Sequence, residues 1–164
     1  MVLQAYTYDL IHKAVGDEPG PFFWRSAMMG AWQLAPAESA KWTDEQKTSA
    51  RRAAEIYKEW ARPILKDVKV HHILPRPDGL HWDGMFYWSP SLNRGTLYIF
   101  RPDAPEADKI VKLKGLDPQK EYRVWCEDGS IKPGVRTGKV LMDEGLTVAL
   151  PQKYTSDLIY LSMP

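Results

Sequence analysis

The stretch KEYRVWCED, Lys120 to Asp128, decides how the rest of the sequence is read. Tyr122, Val124 and Cys126 alternate with Arg123 and Trp125, the period of two that sends successive side chains to opposite faces of a β-strand. Leu146, Val148 and Leu150 repeat the alternation further along. On either side lie VKVHHIL, GMFYWS, GTLYIFR, DKIVKLKG, LTVALP and DLIYLS, short runs rich in β-branched and aromatic residues. Turn signals separate them: Pro-Asp-Gly at 77–79, Asn-Arg-Gly at 93–95, Asp-Pro at 117–118, Asp-Gly-Ser at 128–130 and Pro-Gly at 133–134. Roughly seven or eight strands at this spacing predict an antiparallel β-sandwich or barrel from about Val68 to Pro164.

The sequence ahead of that domain has a different texture. Residues 3–15, LQAYTYDLIHKAV, read as a short helix ended by the run Gly-Asp-Glu-Pro-Gly-Pro from Gly16. Pro21 to Pro36 is almost wholly apolar without a clean period, a buried strand or a short helical turn. A helix then starts at a capping box, Thr43 with Gln46, with Asp44 and Glu45 in its first turn. Ala50, Ala53, Ala54, Tyr57, Trp60 and Ala61 recur along one side of it, and Pro63 marks its end. The boundary falls between Ile64 and Asp67, giving a helical and apolar segment, 1–65, and a β-domain, 66–164.

Composition narrows the function. The 164 residues are 44% hydrophobic and 26% charged, ordinary for a globular protein. Lys+Arg is 22 against Asp+Glu 21, a net charge of +1, which argues against nucleic acid as a partner. No polybasic run suits a membrane surface, and no stretch approaches the roughly 20 apolar residues of a spanning helix. A lone cysteine, Cys126, excludes an intrachain disulfide and a cysteine-based zinc cluster. With no signal peptide in MVLQAYTYDLIHKAVGDEPG, the expectation is a soluble chain, with the cytoplasm favoured.

No self-sufficient active site is visible. His71 and His72 are adjacent in a predicted strand, so they point to opposite faces and make a poor chelating pair. His81 with Asp83 could join one of them at a metal, but a surface or hydrogen-bonded histidine is the preferred reading, and no cofactor is called for. Glycoside hydrolysis needs two facing carboxyl groups about 5 Å apart or wider. The acidic neighbours Glu127–Asp128 and Asp143–Glu144 both sit in predicted turns, and Asp9 has no obvious apolar pocket. Cys126 reads as a buried small hydrophobe, and Ser26 and Ser89 lack a recognisable partner. Gly-x-Ser-x-Gly, a phosphate loop and His-Glu-x-x-His are all missing. The 7 Trp and 8 Tyr are either core contacts or platforms for sugar rings. Around the first hairpin, Trp82, Tyr87 and Trp88 pose the same alternative; the face that Phe86 shares with Trp88 favours packing.

The order of parts carries a resemblance. WRSAMMGAW (Trp24 to Trp32) precedes the acidic-capped helix, which closes on EIYKEWARPIL. WDGMFYWSP, GTLYIFRP and LKGLDPQKEYRV follow, and the end is TGKVLMDEGLTVALPQKYTSDLIYL. This resembles the C-terminal end of α-galactosidase-like glycoside hydrolases of the melibiase type, family 36 and its relatives. Its most specific parts are Gly115 to Leu161 and Arg25 to Gly30.

The resemblance implies that a (β/α)8 barrel precedes an antiparallel β-sandwich. Residues 1 to about 65 then correspond to the last barrel unit, with Phe22 to Met29 near the eighth strand and Thr43 to Arg62 the eighth helix. The family's two catalytic aspartates belong to earlier strands and have no counterpart here, so no catalytic residue is carried over. Trp24, Arg25 and Trp32 could border a sugar pocket, and Trp82 and Trp88 are the candidate sugar contacts of the β-domain. Cut from a barrel, Phe22, Phe23, Trp24, Met28, Met29 and Trp32 would form an exposed apolar patch. The expectation is therefore that this segment folds back on the β-domain, is buried in a homo-oligomer, or awaits an upstream barrel domain. Three functions compete: a structural C-terminal part of such a hydrolase, a non-enzymatic carbohydrate-binding module using exposed Trp and Tyr, and a small hydrolase with an unrecognised site.

Overall fold

A computed structural model describes residues 4–6, 20–33 and 39–164 of the chain. Two compact units divide it, Met1–Leu65 and Lys66–Pro164.

The second unit is mainly antiparallel β, as the alternation predicts. Its large sheet holds β3 (Lys69–His72), β4 (Asp83–Ser89), β5 (Arg94–Arg101), β7 (Glu121–Cys126), β8 (Gly134–Thr137) and β10 (Thr155–Ser162), in the order β3-β4-β5-β10-β7-β8. A separate ribbon pairs β6 (Asp108–Val111) with β9 (Leu146–Ala149). In β9 the predicted period appears directly, with Leu146 and Val148 buried and Thr147 and Ala149 exposed. In β7, Tyr122 and Val124 are buried between exposed Glu121 and Arg123.

The two longest strands, β5 and β10, are buried along nearly their whole length instead of alternating. Their registers explain why: they lie side by side in the middle of the sheet, Leu158 opposite Tyr98 and Ile159 opposite Leu97. One sheet face supplies Phe86, Leu97, Ile99, Val124, Ile159 and Leu161 to a core that the ribbon completes with Val111, Leu146 and Val148. The other face, with Tyr87, Tyr98, Phe100, Leu158 and Tyr160, is buried as well. A strand covered on both faces reads as a continuous apolar run.

Two elements escape the sequence reading. β8 begins at the Pro-Gly turn signal, and a short helix, Gly138–Asp143, ends at the Asp143–Glu144 pair that reads as a turn. Thr137 caps this helix by accepting the Val140 N–H at 3.3 Å, and Lys139 pairs with Asp143 four residues on. Gly145 ends it at φ +87°, a conformation that suits glycine. Gly138 is fixed by space: a Cβ there would stand 2.1 Å from the Asp117 carbonyl oxygen.

The first unit corrects three expectations. Gln4–Tyr6, within the predicted helix 3–15, is a strand, β1; the rest of that helix lies outside the described residues. Pro21–Ala27 is an α-helix, α1, with proline at its start where a missing N–H costs nothing. Phe22 to Met29, placed near the eighth strand by the resemblance, is therefore mostly helix. A strand follows at Ala31–Gln33, β2, which pairs in parallel with β1. Third, the long helix passes through Pro63. It runs as α2 (Asp44–Ile56), widens into a π-helical stretch at Tyr57–Ala61 and closes with a turn at Arg62–Ile64. The Arg62 N–H reaches back five residues to the Tyr57 oxygen. That wider turn relieves the clash between a proline ring and the carbonyl four residues before it. The capping box is present as read: the Thr43 N–H bonds the Gln46 side chain at 2.8 Å, and the Gln46 N–H bonds Thr43 Oγ1 at 3.2 Å.

Phe23, Trp24 and Met28 are buried, while Phe22, Met29 and Trp32 are half-buried.

Candidate functional site

The first candidate cluster centres on Trp24. Its indole lies 4.9 Å from Phe23, 5.6 Å from Trp42 and 6.1 Å from Trp32, and its Nε1 donates to Ser49 Oγ at 3.2 Å. Tyr57 stands edge-on to Trp32 at 5.5 Å. The Tyr57 hydroxyl accepts the Trp32 backbone N–H at 3.0 Å and donates to the Gly30 carbonyl at 3.2 Å, tying β2 to the long helix. Arg25, on α1, is buried. Trp32 Nε1 is buried and has no hydrogen-bond partner among the described residues. The structure thus brings Trp24 and Trp32 together. Tyr57 joins them, a contact hidden in a sequence position that reads only as helix stripe.

Trp82 and Trp88 lie inside the β-domain, 2% and 7% exposed. Trp82 Nε1 donates to the Glu106 carbonyl at 2.9 Å. Trp88 meets Tyr122 edge-on at 5.6 Å and Phe86 at 6.2 Å. Both rings are surrounded by core side chains, the packing that the shared face with Phe86 suggests.

The carboxylates are mostly held by backbone and cations. Asp157, wholly buried, accepts N–H groups from Asp128, Ser130 and Leu158 at 3.1, 3.1 and 2.7 Å. Asp67 accepts from Ser89 Oγ and from the Ser91 N–H, and these bonds hold its carboxyl below the usual carboxylate range. Asp143 pairs with Lys139 at 2.6 Å and Asp103 with Lys153 at 2.7 Å. Glu127 accepts from the Tyr160 hydroxyl at 3.1 Å.

Asp78 and Asp83 form a pair the sequence reading missed. Asp78 accepts from the Leu80 and His81 N–H groups, each at 2.9 Å, and contacts His81 Nδ1 at 2.6 Å. Its bonds with His81 push it far below its ordinary value. Half-buried Asp83 is pushed up to about 6, chiefly by burial and further by the Asp78 charge. One low and one raised carboxyl resemble an acid–base pair. Yet Asp78 is occupied by its own turn, which leaves Asp83 as the carboxyl raised above its ordinary value among the described residues. His81 binds Asp78 instead of joining Asp83 at a metal, and no three His, Cys, Asp or Glu among the described residues are placed to hold one. His71 stacks on Phe86 at 6.2 Å, and burial, then Lys114 and Lys69, lower its pKa; its neighbour His72 is exposed.

One end of the β-domain is built on a buried cation. Arg101, 4% exposed, donates to the carbonyls of Ala104 at 3.0 Å, Leu150 at 2.6 Å and Pro105 at 3.1 Å. Three carbonyl dipoles from two loops thereby fix both loops to β5. The Asp103 N–H donates to Gly79 O at 3.3 Å and the Tyr154 N–H to Pro102 O at 2.8 Å, so three loops meet there.

Comparison with known proteins gives this architecture relatives. Residues 94–161 match the family model described as "Glycosyl hydrolase family 36 C-terminal domain". The galactosidase domain of an alpha-galactosidase-sucrose kinase, AgaSK, superposes with TM-score 0.70 at 19% identity. The family 36 alpha-galactosidase AgaB from Geobacillus stearothermophilus gives 0.66 at 24%. A variant of alpha-galactosidase AgaA from the same organism, in complex with raffinose, gives 0.67 at 21%. Each likeness covers 87% of this chain and 19% of the neighbour, so the chain spans about a fifth of the length of these structures. At such identities they show the fold. A comparison with curated proteins found no match. Among the described residues no helix is long and apolar enough to cross a membrane. From Arg94 to Leu161 the β-domain matches the C-terminal domain of glycosyl hydrolase family 36, and the chain is like the C-terminal part of that family's α-galactosidases.

Proposed function

We propose that this chain serves as the C-terminal part of an α-galactosidase-like glycoside hydrolase, with its β-domain in a structural role and its catalytic carboxylates supplied by an upstream barrel. The observation that carries this reading is the family 36 C-terminal match at 94–161, in a chain that spans only 19% of its neighbours. Two features of the chain support it. Its carboxylates are largely occupied by loops, turns and lysines. Its first unit holds a parallel strand pair, β1 with β2, joined through a helix and followed by a long amphipathic helix, the pattern of a βα-barrel.

On this reading the division at Leu65–Lys66 separates the last barrel unit from the β-domain. Trp24, Arg25 and Trp32 border a sugar pocket completed by the upstream strands. Trp32 Nε1, without a partner among the described residues, is the group that supports this placement, because a buried indole N–H calls for an acceptor. The purified chain, assayed on an aryl α-galactoside, is expected to show no turnover above background. Measurable turnover that disappears in Asp83→Asn would overturn the proposal in favour of a self-contained hydrolase.

A further inference from the structure

β3 is the end strand of the large sheet and pairs there with β4, Lys69 opposite Trp88, Val70 opposite Tyr87, His71 opposite Phe86 and His72 opposite Met85. Lys69, Val70 and His72 are exposed, so burial of their side chains does little to hold the strand. His71 is the exception. Its ring stacks on Phe86, a core residue, with centroids 6.2 Å apart and planes inclined by 26°. On another side it meets Gly115, at φ +76°, where an added Cβ would stand 2.5 Å from His71 Cε1 and Nε2. The imidazole edge therefore rests on bare backbone, in space that a side chain at 115 would fill. One residue earlier, Lys114 Nζ donates to the His72 carbonyl at 3.0 Å. Ring and ammonium group together tie β3 to the 113–116 segment, whose Leu113 and Leu116 sit in the core.

That contact suits a neutral imidazole and not an imidazolium. His71 Nε2 is buried and has no hydrogen-bond partner among the described residues. A neutral ring can carry its proton on Nδ1, but an imidazolium carries one on each nitrogen. Its Nε2–H would be a buried, charged donor without an acceptor. The charges acting on the ring are positive as well, Lys114 from the 113–116 segment and Lys69 from its own strand, while β4 faces it with Phe86. Burial first, and these lysines after it, hold its pKa below 6.5. Both ends of the strand are tied by other means. Ahead of it, Asp67 accepts from Ser89 Oγ and the Ser91 N–H, bonds that keep it ionised to lower pH than an ordinary carboxylate. Behind it, the Ile73 and Leu74 N–H groups reach Gly84 O at 3.2 and 3.4 Å, and both side chains pack on the core.

We propose that His71 is a proton-operated latch: neutral, it holds β3 on Gly115; protonated, it leaves that contact and Lys69–His72 parts from the 113–116 segment. Asp67 and Ile73 keep the two ends in place, so the strand bows out without unravelling the domain. A released ring binds a proton more readily than a docked one. The docked state is therefore most stable above pH 6.5 and loses that contribution as pH falls below it. Release uncovers the backbone of β4 from Met85 to Trp88, an open sheet edge that exists only in acid.

Amide hydrogen exchange of the whole chain, followed by NMR, tests the latch. Between about pH 7.5 and about pH 5, corrected for intrinsic rates, protection of the Lys69–His72 amides that bond β4 should fall about tenfold relative to those of β5. His71→Leu fills the same space and carries no proton, so its ratio should stay constant with pH. Gly115→Ala puts a methyl group where the ring rests and should loosen β3 already at the higher pH, which keeps the latch testable if His71→Leu fails to fold. An unchanged ratio in the parent, an equal fall in His71→Leu, or a fall abolished by Asp83→Asn instead would each overturn it. So would a His71 ring that titrates at or above 6.5.

Discussion

Asp157 is wholly buried, and its carboxyl oxygens accept three backbone N–H groups. The three N–H donors come from both sides of the 127–130 turn and from its own strand, so one carboxylate closes that loop on β10. Asp157→Asn keeps the shape but turns an acceptor into a donor facing N–H groups. It should cost about 2 kcal/mol, read as a lower denaturant midpoint at unchanged slope. Asp83 has the opposite character. Its folded pKa, about 6, lies above the ordinary aspartate value of 3.8. The folded chain therefore holds the proton more tightly, and this contribution to stability is complete below pH 3.8 and lost as pH rises through 6. Asp83→Asn should accordingly be more stable than the parent at pH 8, by about 1–2 kcal/mol, and nearly equal to it at pH 3.5. Melting both proteins across that range checks the slope.

At the scale of elements, the joint at Tyr57 carries the most risk for the first unit. Tyr57→Phe leaves the Trp32 N–H and the Gly30 carbonyl without their shared hydroxyl, a loss of about 1–3 kcal/mol visible in thermal unfolding. Neither that joint nor the π-helical stretch around it was legible in the sequence. A stripe of Ala50, Ala53 and Tyr57 marks a buried face but does not show what the hydroxyl meets. The strands were legible where one face is wet: Leu146 and Val148, or Tyr122 and Val124, show their period directly. β5 and β10 were found instead through composition and bounding turns, because burial on both faces erases alternation. The helix at Gly138–Asp143 was missed although its signals stood in the sequence: Thr137 as cap, Lys139 with Asp143 at helical spacing, and Gly145 as terminator. Read singly, the Asp-Glu-Gly at its end looks like a turn. The candidate site was the least legible part, since Tyr57 meets Trp32, and Arg101 meets its three loop carbonyls, only through the fold.

For the whole molecule, the sequence boundary rests on a change of texture, helical stripe giving way to strands. The β-domain has a core drawn from its own sheet and ribbon. Residues 66–164 expressed alone should give one cooperative urea transition and dispersed amide resonances; a gradual, non-cooperative melt would count against the division. The topology also bears on how the domain comes into being. β10 is the last strand in sequence, yet it occupies the middle of the sheet, bonded to β5 on one side and β7 on the other. During synthesis the β3-β4-β5 half and the β7-β8 half emerge first, each with an open edge and no partner. The sheet can join only after Thr155–Ser162 has left the ribosome. Until then two sticky half-sheets coexist, which makes the nascent β-domain a client for chaperones and makes premature termination before Thr155 a cause of aggregation, not of a smaller folded product.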